Sequence, residues 1–229
     1  WSSGVKRTTL GARQALLSAG TGGGLVMEFR FGLSDELEYL DSSSTYLFIT
    51  TQKFRDPAAW YHLVLRVDTT QSSANDRTRL YVNGEQVTSF STDNRSNHTL
   101  NEDLAVNTNT VHYISRWVTG GENHDGYFAE INFLDGVSVD CNSFGEFKDG
   151  VWIPKQYSGS YGTNGWHLDF ADSSDIGNNA NTTDGTNDWT PNNLAASDIV
   201  PDTPTNNFAT MNPIYHSSSQ ATLSEGNLK

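Results

Sequence analysis

The stretch that decides the fold is Trp60-Tyr61-His62-Leu63-Val64-Leu65-Arg66-Val67-Asp68, which a polar loop joins to Arg77-Thr78-Arg79-Leu80-Tyr81-Val82-Asn83-Gly84-Glu85-Gln86-Val87. Leu63, Leu65 and Val67 recur at every second position, which is the period of a β-strand with one buried face. Asn-Gly between two alternating runs favours a type I′ turn, because both central residues of that turn need a positive φ. The stretch therefore predicts a strand, a loop and a tight β-hairpin.

The same period of two continues in both directions along the chain. In residues 25–31, Leu25, Met27, Phe29 and Phe31 would lie on one face of a strand. Further strands are predicted over residues 37–40, 45–52, 111–117, 126–134, 151–154 and 166–170, and short helical turns are predicted only at 13–17 and 141–147. Regularly spaced strands separated by turn signals favour an all-β fold, a two-sheet antiparallel sandwich.

Charge and cysteine content exclude several classes of partner. The formal net charge is −13, which opposes the counterion release that holds proteins on nucleic acid, so no nucleic-acid partner is expected. No apolar run approaches the roughly 18 residues of a membrane span, so no membrane insertion is expected. The single cysteine, Cys141, excludes an internal disulfide and a thiolate metal cage.

A change of composition divides the chain into three parts. Residues 1–136 are predicted to form the core of the sandwich, and residues 137–200 supply late strands and a loop rich in Asp, Asn and Gly that packs on it. Residues 171–193 hold too little apolar surface to form a core of their own. Residues 201–229 are predicted to be an extended linker toward a further domain.

Two motifs carry a resemblance to a known family. The run Phe54-Arg55-Asp56-Pro57-Ala58-Ala59-Trp60-Tyr61-His62-Leu63-Val64, followed by residues 80–87, resembles the centre of laminin-G and pentraxin-like domains. Asp125-Gly126-Tyr127-Phe128-Ala129-Glu130-Ile131-Asn132-Phe133 is similar to a late strand of such domains. They belong to the concanavalin A-like superfamily, and the resemblance implies that the sandwich is a jelly roll.

Later segments are similar to large virion proteins of marine tailed phages. The segments are Gly150-Val151-Trp152-Ile153-Pro154-Lys155, Gly159-Ser160-Tyr161-Gly162-Thr163-Asn164-Gly165 and Asn187-Asp188-Trp189-Thr190-Pro191. This resemblance implies a non-enzymatic module on the virion surface that recognises a host glycan from a tail fibre or spike. The alternative is a capsid or tail decoration protein that contacts only other virion proteins. A homo-oligomer is expected, and a trimer would suit a fibre.

Aromatic residues next to Gly, Asn or Asp are the candidates for carbohydrate binding, because exposed rings stack on sugar faces. Taken singly, each of these rings fits the core or a loop plug better. As a group they favour one sugar-facing cluster, and the sequence does not choose which of them form it. The candidates are Trp117, His124, Tyr127, Tyr157, Tyr161, Trp166 and Trp189.

Acidic and amide side chains are the candidates for calcium, which takes six to eight oxygen ligands. A solvated acidic loop is the alternative interpretation. The candidates are Asn123, Asp125, Asp169, Asp172, Asp175, Asp184 and Asp188.

A second alternative function is a jelly-roll glycoside hydrolase. Retaining glycosidases use two carboxylates about 5–5.5 Å apart, and Glu130, Asn132 and Asp135 superficially follow that layout. An Asn stands at the central acidic position, and Asp135 precedes Gly136 in a predicted turn. The sequence therefore favours a protein that is not an enzyme.

Overall fold

The computed structural model describes residues 1–21, 26–41, 45–182, 187–209 and 211. Its regular structure consists of β-strands and single 3₁₀ turns, and no helix of the described residues is long and apolar enough to cross a membrane. The strands are β1 (Ser2–Arg7), β2 (Gln14–Gly20), β3 (Val26–Phe31), β4 (Leu37–Asp41), β5 (Thr45–Thr50), β6 (Trp60–Val67), β7 (Thr78–Val82), β8 (Glu85–Gln86), β9 (Phe90–Asp93), β10 (His112–Ile114), β11 (Gly126–Phe133), β12 (Gly145–Lys148), β13 (Val151–Pro154) and β14 (Trp166–Leu168).

Two antiparallel six-stranded sheets confirm the predicted sandwich. The first sheet has the order β14-β11-β1-β6-β7-β8, and the second has the order β10-β2-β3-β4-β5-β9. Strands β12 and β13 form a separate two-stranded hairpin. Asn83 and Gly84 have φ values of 49° and 81°, so the tight turn between β7 and β8 is present as predicted.

The core lies between the inner faces of the two sheets. Leu63 and Leu65 of β6 point into it, as do Met27, Phe29 and Phe31 of β3, and each of these side chains is almost fully buried. Burial of one such side chain contributes roughly 1.5–3 kcal/mol. The alternation in the sequence therefore correctly predicted which face of β3 and of β6 is buried in the core. Leu25, which was assigned to the same strand as Phe29, lies outside the described residues.

The outer face of the second sheet carries a buried cluster of charges. The Arg30 guanidinium donates to Glu38 at 2.6 Å, to Glu28 at 2.5 Å and to Glu122 at 3.0 Å. Glu28 has no exposed surface, and Arg30 is only 5% exposed. A buried arginine that forks to several carboxylates satisfies their hydrogen-bonding capacity and offsets part of the cost of desolvating the charges.

The helical turn predicted over residues 13–17 is wrong. Residues 14–20 form β2, and a β-bulge lies between Ala15 and Leu17. A bulge inserts one residue into a strand and breaks the period of two. Leu16 and Leu17 are adjacent and both fully buried, so this segment lacks the alternation that predicts a strand. At the second predicted helical turn, a 3₁₀ turn covers only Cys141–Ser143 before β12 begins.

Hairpin β12–β13 packs on the outer face of the first sheet through a second apolar cluster. Val64 and Tyr81 contribute to this cluster from the sheet, and Cys141, Phe144, Tyr157 and Tyr161 contribute from the later chain. Val64 lies next to the inward-facing Leu63 and Leu65 in β6, so it points to the opposite face. Strands β6 and β7 are thus buried on both faces.

Residues 202–208, called here the C-terminal strap, lie across the same outer face. The Lys6 ammonium donates to Asp202 at 2.7 Å and to the side-chain oxygen of Asn207 at 2.8 Å. The Lys6 and Asp202 side chains have no exposed surface. A Cβ on Gly4 would lie 2.9 Å from the Pro204 ring, so the strap approaches β1 where β1 has no side chain.

Candidate functional site

A groove with a volume of about 790 Å³ opens where the sandwich, hairpin β12–β13 and the C-terminal strap meet. This volume lies in the usual range for ligand sites, about 300–1,000 Å³. The groove is lined by Thr51, Gln52, Ala59, Trp60, Val82, Asn83, Glu85, Gln86, Val87, Thr88, Ser89, Phe147, Gly150, Val151, Trp152, Pro204 and Asn207.

Trp152 of β13 joins the hairpin to the first sheet. A Cβ on Gly84 would lie 2.1 Å from one edge of its indole ring, and a Cβ on Gly145 would lie 2.3 Å from another. The ring fits there only because both neighbours are glycines. The indole Nε1 donates to Nδ1 of His62 at 3.0 Å, so the ring is fixed by packing and by a hydrogen bond.

The hydrogen bond to Trp152 sets the tautomer of His62. Because Nδ1 accepts from the indole, Nε2 of the neutral imidazole carries the proton and donates to Ser2 Oγ at 3.0 Å. Burial lowers the pKa of His62 to about 4. The imidazole is therefore neutral at neutral pH and holds Trp152 in one orientation.

Trp60 at the start of β6 and the C-terminal strap form the other wall. The Trp60 indole Nε1 donates to Asp202 at 2.9 Å, and the Asn207 amide donates to the Ala58 carbonyl at 2.8 Å. These contacts bring Pro204 and Asn207 to the rim of the groove. This wall therefore depends on the docked strap.

The exposed surface of the groove combines apolar and polar groups. Phe147 is 53% exposed, and its ring meets the Trp152 ring edge-on at 5.0 Å between centroids. Asn83, Glu85 and Gln86 are exposed beside it. An open aromatic face next to amide and carboxylate groups can bind a ligand that has both apolar C–H faces and hydroxyls.

Three of the aromatic residues predicted from the sequence are buried in the structure. Tyr157 is 9% exposed, Tyr161 is 7% exposed and Trp166 is 6% exposed. Trp166 stacks on Phe133 with 5.6 Å between centroids, and the Tyr161 hydroxyl donates to Asn132 at 2.7 Å. These rings have the packing roles that were the alternative interpretation.

The remaining four candidates are half-buried and do not line the groove. His124 packs on Phe128, and burial lowers its pKa to about 4. Trp189 meets Trp166 at 4.7 Å between centroids, and Tyr127 lies 6.3 Å from Trp60. Trp117 lies in the loop after β10, where its backbone bonds to Gly120 and Gly121.

Sequence reasoning missed the aromatic residues that do line the groove, Trp60, Phe147 and Trp152. A usable signal was present, because Phe147 and Trp152 flank the turn-forming Lys148-Asp149-Gly150. Residues paired across a hairpin share one face, so the pair Phe147–Trp152 indicates an aromatic face.

The calcium candidates are dispersed, and the described residues include no group of three or more His, Cys, Asp or Glu that could hold a metal ion. Asp125 accepts from Thr8 at 2.8 Å, and Asp172 accepts from Ser174. Asp188 accepts the backbone N–H of Asn179 at 2.9 Å.

The other calcium candidates are likewise exposed or engaged in local hydrogen bonds, or lie outside the described residues. Asp169 accepts the backbone N–H of Ala171, Asn123 is exposed, and Asp175 takes part in backbone turns. Asp184 lies outside the described residues. Calcium binding therefore stays a prediction.

The side chains of the hydrolase alternative have hydrogen-bond partners elsewhere in the protein. The Glu130 carboxylate accepts from His167 Nε2 at 2.7 Å, and the Asn132 side-chain oxygen accepts from the Tyr161 hydroxyl. Asp135 accepts from the side chains of Asn107 and Asn164. Glu130 has a φ of 54°, a conformation that a non-glycine residue rarely adopts. It lies where the pairing between β1 and β11 shifts register, so the irregular pairing turns its side chain outward.

Comparisons with known proteins place the sandwich in a family. A comparison with curated proteins found no match, and a comparison with solved structures found none. The family model Laminin_G_3, described as the concanavalin A-like lectin/glucanases superfamily, matches residues 3–138. The match contains the sandwich wall of the groove, whereas hairpin β12–β13 and the strap lie beyond it. The chain therefore belongs to the Laminin_G_3 family of the concanavalin A-like lectin/glucanase superfamily.

Proposed function

We propose that this protein is a non-enzymatic carbohydrate-binding module and that the groove between the sandwich, hairpin β12–β13 and the C-terminal strap is its binding site. The observation that carries the proposal is the exposed Phe147 ring beside the fixed Trp152 ring, within a groove whose rim is polar. Membership of a lectin and glucanase superfamily supports the same ligand class.

The geometry suits a sugar for two physical reasons. A sugar ring offers an apolar C–H face, which an aromatic platform can cover, and hydroxyls, which the amides of Asn83 and Gln86 can bind. Trp152 is already held by His62, Gly84 and Gly145, so binding costs little additional side-chain entropy. A preformed platform therefore favours binding even when each contact is weak.

The biological setting is also part of the proposal. The similarity of the later segments to phage virion proteins supports a place on the virion surface, on a tail fibre or spike that meets a host glycan. The net charge of −13 suits an exposed particle surface, because like charges keep particles dispersed. Homo-oligomers, such as the trimers of fibres, would present several weak sites together and so raise the overall avidity.

The experiment compares two variants on a broad array of glycans. Phe147→Ala removes the exposed platform, and we expect it to weaken binding of the best glycan at least tenfold, which corresponds to about 1.4 kcal/mol. Leu100→Ala is the matched control, because Leu100 is also 53% exposed and lies outside the groove. Equal melting temperatures would show that both variants remain folded.

Two outcomes would contradict the proposal. The first is the absence of any glycan ligand at millimolar concentration, and the second is a ligand whose affinity Phe147→Ala leaves unchanged. The purified protein should also compete with phage adsorption to host cells. Glycan binding without such competition would contradict host recognition, and a protein that binds only virion components would support the decoration role instead.

A further inference from the structure

The charges around the groove point to the class of glycan that it accepts. We infer that the groove selects neutral glycans and rejects glycans that carry carboxylate or sulfate groups. This inference rests on the proposed function, because it concerns the ligand of the same groove. It depends on three features: an exposed carboxylate at the rim, a buried lysine in the adjoining wall, and the absence of any lysine or arginine among the described residues that line the groove.

The exposed carboxylate belongs to Glu85 of β8. It is the one charged side chain among the described residues that line the groove, and the other polar lining groups are amides, hydroxyls and backbone. A neutral sugar can donate its hydroxyl protons to this carboxylate. An acidic sugar would bring a second negative charge to the same place, where no cationic lining residue could compensate it.

The cation closest to the strap wall of the groove is not available to a ligand. Lys6 donates to Asp202 and Asn207, and its side chain has no exposed surface. Asn207 and Trp60, which both contact this ion pair, line the groove. The C-terminal strap thus covers and neutralises the lysine that could have attracted an acidic glycan.

The neighbouring lysines have carboxylate partners or neighbours. The Lys53 ammonium, one residue beyond the lining residue Gln52, lies 2.7 Å from Glu36. Lys148 at the tip of hairpin β12–β13 is followed directly by Asp149. The field that an incoming ligand meets is therefore dominated by Glu85 and by the acidic chain as a whole, with its formal charge of −13.

The size of the discrimination follows from Coulomb's law with partial screening. Two like charges a few ångströms apart in a half-open groove repel enough to weaken binding about tenfold. Mobile ions screen this repulsion over roughly 8 Å at physiological ionic strength, so the discrimination should be larger in dilute salt. An acidic ligand should therefore bind more tightly as salt is added, whereas a neutral ligand should change little.

The experiment uses one ligand in two forms. The tightest neutral oligosaccharide that requires Phe147 is compared with the product of selective oxidation of its C6 hydroxyls to carboxylates. The two forms share their rings and linkages. Isothermal titration of both forms into the full chain at low and at physiological salt measures the ratio of their affinities.

Oxidation adds negative charge to the ligand and also removes its C6 hydroxyls, and two variants separate the effects of these two changes on affinity. Glu85→Gln retains the shape of the side chain and removes its charge, so we expect it to raise the affinity for the oxidised form about tenfold at low salt relative to the neutral form. Glu146→Gln is the matched control, because Glu146 is exposed but does not line the groove. It should leave the ratio of affinities near that of the unmodified chain.

The outcomes distinguish the inference from the function on which it rests. Equal or tighter binding of the oxidised form by the unmodified chain would overturn the inference and leave carbohydrate binding intact. An affinity ratio that Glu85→Gln does not change would overturn it as well. Failure to find any glycan that requires Phe147 would instead overturn the proposed function.

Discussion

At the scale of single residues, the groove depends on the protonation state of His62. Nδ1 of the neutral imidazole accepts a hydrogen bond from the Trp152 indole N–H, and a protonated imidazole could not accept this bond. Burial keeps the ring neutral by lowering its pKa to about 4. The orientation of the groove's central ring is thus linked to pH.

We predict an acid-dependent loss of stability that His62→Gln reduces. The unfolded chain binds a proton at this histidine near pH 6.5, whereas the folded chain binds it near pH 4. Between these values the unfolded state holds more protons, so the free energy of unfolding falls as the pH falls, by up to about 1.4 kcal/mol per pH unit for this group. Urea unfolding at pH 7, 6 and 5 measures the slope. Identical slopes for both proteins would contradict the role of His62.

The contribution of Glu28 to stability has the opposite pH dependence to that of His62. Burial raises the pKa of its carboxyl to about 8, Arg30 opposes this shift, and the nearby Glu122 carboxylate adds to it. The folded state therefore holds a proton that the unfolded state releases near pH 4.5. The stabilising contribution is present at low pH and is lost as the pH rises through 8.

We predict that Glu28→Gln removes a loss of stability on the alkaline side. From pH 6.5 to pH 8 the unmodified chain should lose stability relative to Glu28→Gln, because the variant keeps the shape of a protonated carboxyl but releases no proton. His62 and the buried N-terminal amine of Trp1, whose pKa burial lowers to about 5, also affect stability in this range, but they do so equally in both proteins and cancel in the comparison. Denaturant unfolding at pH 6.5, 7.2 and 8 provides the measurement, with Glu146→Gln as control. A Glu28→Gln curve as steep as that of the control would be evidence against a protonated Glu28.

At the scale of elements, the C-terminal strap and hairpin β12–β13 cover the outer face of the first sheet. The strap is polar in sequence, and besides the hydrogen bonds of Asn207 and Trp60 its docking includes a buried ion pair between Lys6 and Asp202, which are 196 residues apart in the chain. Removing one partner of a buried pair leaves an uncompensated charge, which typically costs about 3–5 kcal/mol. Release of the strap into solvent would avoid much of that cost.

We therefore predict that Asp202→Asn detaches the strap without unfolding the sandwich. Amide exchange over residues 202–208 should become faster, and Trp60 should lose the acceptor of its indole proton and become more exposed. Exchange within β6 should stay slow. Hydrogen exchange with mass spectrometry and tryptophan fluorescence measure both effects, with Asp198→Asn, at an exposed position, as the control. Unchanged protection of the strap would contradict this account of its docking.

At the scale of the whole molecule, the groove exists only where the family sandwich and the later chain meet. Residues 3–138 match the family model and provide Trp60, Asn83 and Glu85. The later chain provides Phe147, Trp152 and the strap. Neither part contains the groove alone, so a groove of this kind can be added to a sandwich by covering part of its outer face. The inner core, which is shared by both sheets, need not change.

The candidate site was harder to predict than the fold for a physical reason. A ring that stacks on a sugar and a ring that fills a core have the same chemical character, and their sequence neighbours differ little. Trp166 and Tyr161 lie beside glycines in the sequence but are buried, whereas Phe147, at the end of a predicted helical turn, lies in β12 and is exposed. Exposure depends on which distant segments cover a face.

The sequence by itself determined the antiparallel sandwich, the inward faces of β3 and β6 and the tight turn at Asn83-Gly84. These features follow from alternation and backbone preference, which act between near neighbours. Only the tertiary structure decided that Trp60, Phe147 and Trp152 share a groove and that Lys6 is buried beneath the strap. Those outcomes depend on long-range packing on the outer face of the first sheet, which no local period encodes.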